Sequence, residues 1–347
     1  MTNDEALPPN LPLKGLRVID LSLLLPGPLA TRHLAELGAE VIKVEAPGEG
    51  DGARGFWLTP EQRASGQPSG FFQALNEGKT LRRIDLRSDA GATELLALVQ
   101  DADALVEQFR PGVMDRLGLG WQRLHELNPK LVMCSITGYG QRGPFALRAG
   151  HDINYLALAG VLGQIASLDG APALPNFQIA DLLGGTQAAV NGILAGLLGA
   201  QRSGRGRYID VSMTHEVWRH AVIARHEADA IGVGATGAGK SLLAQGVACY
   251  GIYRTADGRH LAVGALEAKF WAALCEAVGR PEWAQRHWSR GEMPGSPGAI
   301  QMREQLAALF ATRTLAQWLE VLDPADCCVT PVLRLDEVPS HPWMQQT

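Results

Sequence analysis

Cysteine is scarce in this chain and poorly placed for metal or disulfide chemistry. Among 347 residues there are five, Cys134, Cys249, Cys275, Cys327 and Cys328. They form no C-x-x-C pair and no Cys/His ligand spacing. The set therefore reads as reduced thiols, and structural zinc and a disulfide framework drop out. Long apolar runs are missing too, since none reaches the roughly 18 residues a membrane helix needs. The stretch MTNDEALPPNLPLKG lacks the charged-then-apolar order of a secretory signal. These readings place the protein in the cytoplasm and away from a membrane. An excess of positive charge is also absent. Lys and Arg number 31 against 36 Asp and Glu, a net charge of −5, which argues against a nucleic-acid polymer as the main partner while leaving room for local basic pockets.

Glycine and proline, by contrast, are plentiful: 40 and 20 residues, without a repeat period. Such a chain turns often and uses backbone-only contacts at several places. With 46% hydrophobic and 19% charged residues it is globular, and its length exceeds the ~250 to 300 residues at which single cores stop growing, so two domains are expected.

The order of elements alternates. A short apolar strand over 16–23 leads through Pro26-Gly27-Pro28 into a helix over 29–37, Gly38 as its stop, and a strand over 40–45. Further strands are predicted at 81–86, 103–107, 130–136 and 207–213, with helices at 89–100, 120–127 and 182–200 and one long helix over 214–230. Alternation at this spacing gives an α/β fold with a doubly wound parallel sheet. Residues 48–70 read as a long loop. Beyond a glycine-rich connector over 232–241, Asp257-Gly258 signals a hairpin. Helices at 268–278, 299–312 and 314–322 and a strand at 328–333 complete a smaller α+β domain. The expected division is 1–210 for the large domain, 211–244 for a linker, 245–333 for the small domain and 334–347 for the start of a segment returning to the large one.

Several strings invite a chemical reading. Gly234 to Ser241 fits G-x-x-x-x-G-K-[ST], the phosphate-cradling loop of nucleotide hydrolases. That cradle needs a buried strand before it and a helix immediately after. Here ARHEADAIGV precedes and LLAQGVACYGIY follows, so the string reads as a flexible connector. Gly118, Gly120 and the run GYGQRG lack the strand, helix and downstream acid of a dinucleotide fingerprint, and read as turns at the carboxyl ends of strands. The segment Gly150-His151-Asp152-Ile153-Asn154-Tyr155 places polar groups around one apolar residue after such a turn. Asp181 precedes an apolar helix, as an N-cap or first-turn carboxylate. Glu267 closes the apolar strand VGALE. Each taken singly has a bland structural explanation; Lys79, Arg82 and Arg83 read as solvated surface.

Taken together the motifs are less anonymous. LPGPLATRHLAELGAEVIKVEAPGEGD, FRPGVMDRLGLGW, ITGYGQRGP, AGHDINYLALAGVLG and YRTADGRHLAVGALEAKFW resemble, in order and over about 12–340, the α-methylacyl-CoA racemases and the wider family III CoA-transferases. The resemblance implies a Rossmann-like large domain, a small α+β domain and an interlocked homodimer whose substrate is an acyl-CoA, with no cofactor beyond the CoA moiety. It implies catalytic roles for His151, Asp181 and Glu267. It places CoA contacts at Ile84, Asp85, Leu86, Arg87, Gln108, Phe109, Arg110 and Arg116, and around the catalytic histidine at Gly150, Asp152, Ile153, Asn154 and Tyr155. The transferase branch uses the same aspartate as a nucleophile and usually carries an aromatic residue where His151 stands. The chain departs from the family at Ala46, where some racemases carry an arginine, and it stops at Thr347 where relatives commonly continue.

The chemistry fits the residues. Inverting the α-carbon of a thioester takes two proton carriers, one on each side, and donors for the enolate oxygen. His151 and Asp181 are the expected pair, Glu267 orients them, and backbone N–H groups at the helix start after Asp181 are the expected donors. The alternative is CoA transfer through an Asp181 thioester.

Overall fold

The computed structural model of the protein describes residues 11–344. Met1 to Asn10 and the last three residues lie outside it, and with them part of the expected N-terminal stretch and of the return segment. The chain divides into two compact units, with breaks at Leu162/Gly163, Leu174/Pro175 and Ala221/Val222.

The first unit is a six-stranded parallel sheet. In chain order its strands are β1 (Arg17–Asp20), β2 (Glu40–Glu45), β3 (Thr80–Arg83), β4 (Ala104–Glu107), β5 (Val132–Thr137) and β6 (Tyr208–Ser212), and in space they run β3-β2-β1-β4-β5-β6. Alternation along the strands builds two cores. Val18, Val41, Ala104, Val106, Val132, Cys134 and Ile136 face one side. Ile19, Leu21, Ile42, Val44, Leu105 and Met133 face the other. Apolar residues on both faces are what a parallel sheet covered by helices requires. β3 is exposed at all four residues, and its charged sequence TLRR suits an edge strand.

The helices of this unit are α1 (Pro26–Glu36), α2 (Pro60–Ser65), α3 (Gly70–Asn76), α4 (Asp89–Gln100), α5 (Val113–Arg116), α6 (Trp121–Leu127), α7 (Asp152–Leu158), α8 (Ala188–Ser203) and α9 (Met213–His220). Prolines at its N-terminal end start α1, three residues earlier than expected, and Gly38 at φ 101° ends its turn. Residues 48–70 are not a plain loop. They hold a 3-10 turn, Gly52–Gly55, then α2 under a Thr59/Gln62 capping box, and Ser69 caps α3. The caps were present in the sequence, but the glycines around them masked the pattern. A π-helical turn, Ala180–Gln187, runs without a break into α8. The joined helix Ala180–Ser203 has 24 residues and is long and apolar enough to cross a membrane by length and composition, contrary to the expectation of no such run. It packs on α1, α9, β5 and β6.

The predicted helix over 214–230 is two helices, α9 and α10 (Val222–Ile231), broken at Ala221 where ψ reaches 40°. The first unit extends to Ala221, past the expected boundary at 210, because α9 packs on the π-helical turn.

The second unit contains α10 and an antiparallel sheet, β7 (Tyr250–Arg254), β8 (His260–Gly264) and β9 (Val329–Pro331), in that spatial order. Gly258, at φ 77°, makes the β7–β8 turn. The sheet is backed by α11 (Ala268–Ala277), α12 (Pro297–Phe310) and α13 (Leu315–Leu322) around Trp271, Phe310 and Trp318. Residues 163–174 also belong to this unit, with Leu168 beside Gly239.

Candidate active site

In an open parallel sheet, ligands gather outside the carboxyl ends of the strands where the strand order reverses. Here the reversal lies between β1 and β4. A cavity of about 600 Å³ opens there, lined by Leu24, Leu25 and Pro26 after β1, Gln108 to Pro111 after β4, and Ile136 to Tyr139 at and beyond the end of β5. His151 and Asp181 line the same cavity.

His151 is the N-cap residue of α7 and is exposed. Its backbone N–H donates to Asn154 Oδ1 at 3.0 Å, which fixes the residue at the mouth of the helix. Tyr155, one turn along α7, is buried, and its hydroxyl donates to Gly150 O. That ring dictates two glycines. A Cβ on Gly138 would sit 2.3 Å from Tyr155 Cε1, and one on Gly150 2.8 Å from the same atom. Gly138 and Gly150 are therefore glycine for room rather than for a phosphate.

Asp181 lies in the first turn of the π-helical segment, where backbone N–H groups have no intrahelical partner. Asp152 supplies one, accepting the Asp181 N–H at Oδ1 over 2.9 Å. Two carboxylates are thereby brought together on a partly buried surface. Burial, reinforced by the charge of Asp152, pushes the Asp181 carboxyl up to about 7. Burial also raises Asp152, against the N–H groups that it accepts. Asp181 is thus held near the point where it gives and takes a proton with equal ease at neutral pH. Two amides at this helix start are already engaged: the Asp181 N–H is taken by Asp152 and the Leu182 N–H by Gln178 O, so Leu182 is not one of the expected enolate donors.

Glu267 is in the second unit. β8 ends at Gly264, and Glu267 is the N-cap residue of α11 rather than the end of a strand, with no side-chain cap bond. The neighbouring Leu266 carbonyl is held by the ring nitrogens of His287 and Trp288.

The residues expected to bind CoA fall into two groups. Gln108, Phe109, Arg110, Gly150, Asn154 and Tyr155 line the first cavity. Ile84, Asp85, Leu86 and Arg87 line a second one of about 590 Å³, together with Ala46, Pro47 and Phe109. Phe109 is common to both. Gln108 Oε1 also accepts the Gly27 N–H at 3.1 Å, joining the β1 and β4 turns. Arg116, the last residue of α5, lines neither cavity; nor does Ile153, and Asp152 serves Asp181.

The Gly234–Ser241 string is no phosphate cradle. Its amides turn inward: Gly237 N–H donates to Ser241 Oγ, Gly239 N–H to Ala244 O, and those of Lys240 and Ser241 to Gly237 O. Lys240 Nζ donates to Gly234 O at 3.0 Å. These bonds also make the segment a self-tied turn instead of the flexible connector expected.

Two further groups escaped the sequence reading. Lys79 is no surface lysine: its side chain is fully buried against Asp20 at 3.0 Å, and Lys43 is fully buried against Asp51 at 3.1 Å. Burial alone would raise the Asp20 carboxyl, but Lys79, Lys43 and the hydroxyls of Ser22 and Thr31 hold it well below the usual range. The signal was a lysine in the middle of EVIKVE, because a charge inside a parallel strand must be paired. Arg82 and Arg83 remain exposed. Glu107, at the end of ALVE, is buried, and burial pushes its carboxyl up to about 7 despite the Phe109 N–H that it accepts at 2.7 Å.

A cavity at the switch point of a Rossmann-like sheet, holding an imidazole and a carboxyl poised near neutrality, defines an enzyme of acid–base or nucleophilic chemistry. Comparison with known proteins makes the class specific. The family model of CoA-transferase family III matches residues 13–347. The chain is 35% identical over 338 residues to human alpha-methylacyl-CoA racemase, covering 95% of this chain and 80% of that one. It is 32% identical over 334 residues to mouse succinyl-CoA:glutarate CoA-transferase, covering 94% and 73%. The crystal structure of Rv3272 from M. tuberculosis superposes with a TM-score of 0.80 at 30% identity, over 96% of this chain and 88% of that one. The protein belongs to CoA-transferase family III, as an enzyme of the racemase or CoA-transferase kind.

Proposed function

We propose that the protein is an acyl-CoA racemase that inverts the α-carbon of a 2-methylacyl-CoA by moving a proton between His151 and Asp181 through an enolate. The observation that carries this reading is the shared cavity of an imidazole and a carboxyl raised to about 7. A carboxylate at its usual value would be too weak a base to take a thioester α-proton, and the raised value brings its basicity toward that of an imidazole. In one direction the neutral ring of His151 takes the proton and the Asp181 carboxylic acid returns one to the opposite face; in the other the roles exchange. Asp152 keeps Asp181 in place through its backbone and raises its basicity through its charge. The CoA portion follows Phe109 between the two cavities.

The test is deuterium uptake at the α-carbon of a chiral 2-methylacyl-CoA in D₂O, read by mass spectrometry. Uptake with loss of chirality is expected, and its absence at high enzyme concentration sinks the reading. A second reading, CoA transfer with Asp181 as nucleophile, is favoured by the similarity to a CoA-transferase. It forms an acyl–Asp181 anhydride with release of CoA thiolate, then an Asp181 thioester as that thiolate displaces the carboxylate. Adding an acceptor acid separates the two: transfer gives a new thioester and a hydroxylamine-sensitive Asp181, and survives His151→Ala, whereas racemisation does not.

A further inference from the structure

The turn between β1 and α1 and the first residues of α1, together residues 21–28, lend Leu24, Leu25 and Pro26 to the wall of the cavity. Leu24 has φ 63°, a left-handed conformation that a leucine adopts only when its surroundings impose it. What imposes it is a set of buried charges beneath the turn. Lys43 Nζ donates to Ser22 O at 2.7 Å and faces Asp51. Asp51 Oδ1 accepts the Leu24 N–H at 3.0 Å and the Ala53 N–H at 2.9 Å. Lys79 Nζ donates to Pro28 O at 2.7 Å, to Asp20 Oδ2 at 3.0 Å and to Asn76 Oδ1 at 2.9 Å. Asp20 Oδ1 in turn accepts the Ser22 N–H at 2.9 Å.

Two positive and two negative side chains are thus shut away from water, and each pair is completely buried. Burying ion pairs rarely adds net stability, since the lost hydration offsets the attraction. Their distinguishing contribution is geometric. The Ser22 and Pro28 carbonyls and the Ser22 and Leu24 amides each meet a charged partner, which no apolar packing supplies. None of the four side chains lines the cavity.

We infer that Asp20, Lys43, Asp51 and Lys79 are positioning residues, a balanced four-charge cradle that holds the turn, with Leu24 left-handed, as a fixed wall of the reaction cavity. The inference rests on the reading of that cavity as the site of α-proton transfer. A rigid wall fixes the acyl group relative to His151 and Asp181, and a displacement of about 1 Å at such a place costs up to about a hundredfold in rate.

Amide hydrogen exchange tests the cradle without reference to activity. In the unaltered enzyme the Leu24 N–H should be as protected as the amides of β5, although it lies in a turn. In Asp51→Asn, which keeps shape and removes one charge, Leu24 protection should fall by about tenfold or more while β5 is unchanged. The kcat for α-deuterium exchange should fall by about tenfold or more, with KM for the thioester within about twofold. A Leu24 amide that exchanges like an open loop in the unaltered enzyme overturns the inference, as does a folded Asp51→Asn enzyme with unchanged kcat. Should that variant not fold, protection of Leu24 in the unaltered enzyme decides alone. If the unaltered enzyme exchanges no α-proton, the racemase reading fails and the amide measurement still judges the cradle.

Discussion

Asp181 connects the chemistry of the site to the stability of the fold. Its carboxyl titrates near 7 in the folded chain against 3.8 ordinarily. Between those values the folded state binds more protons than the unfolded one, so this group's contribution falls as pH rises from about 4 and is fully unfavourable above about 7. Asp181→Asn removes that penalty. The variant should melt higher than the unaltered protein at pH 8, by about 2–4 °C for each kcal/mol relieved, with the difference fading below pH 4. Thermal melts across pH check this, and a constant difference would contradict it. The same variant should be inactive, so stability and activity move in opposite directions at one residue.

The element that bears Asp181 is a π-helical turn, a form often found at functional sites. Its glycines admit its neighbours: a Cβ on Gly184 would lie 2.6 Å from Met213 O, and one on Gly185 2.7 Å from Pro26 Cβ. Thr186 Oγ1 donates to Pro26 O, so the segment is tied to the cavity wall. α7 carries His151 at its N-terminus and the Tyr155 ring one turn along. Gly138→Ala forces that ring aside, and we expect about 1–3 kcal/mol lost in urea unfolding, together with lower kcat, because the helix carrying His151 moves with its tyrosine. The sequence made the parts of this site legible but not their assembly. GHDIN and Asp181 stood out as polar groups in apolar or glycine-rich settings. Nothing in local pattern says that Asp152 accepts the Asp181 N–H, since 29 residues separate them and only the tertiary fold joins them.

At the scale of the molecule, strand alternation sufficed to foresee a parallel sheet and an antiparallel second unit, because hydrophobic periodicity and turn residues act locally. The boundaries at 162, 174 and 221 were not foreseen, since they depend on which helix packs where. The same holds for the cradle: Asp20, Lys43, Asp51 and Lys79 meet because β1 and β2 are neighbours and the chain returns to them twice. The homodimer implied by the family is our expectation for the assembly. Light scattering on the purified protein should give twice the mass of one chain; a single-chain mass in a fully active preparation would exclude it.

The cradle also sets a thermal bias on the enzyme. Hydration of charged groups becomes less favourable on warming, so the penalty for hiding four charges shrinks as temperature rises, while burial of apolar surface gains little more. A site wall held by ions rather than by oil is therefore most costly to maintain in the cold. Replacing the four charges with apolar residues would save most at low temperature and progressively less on warming.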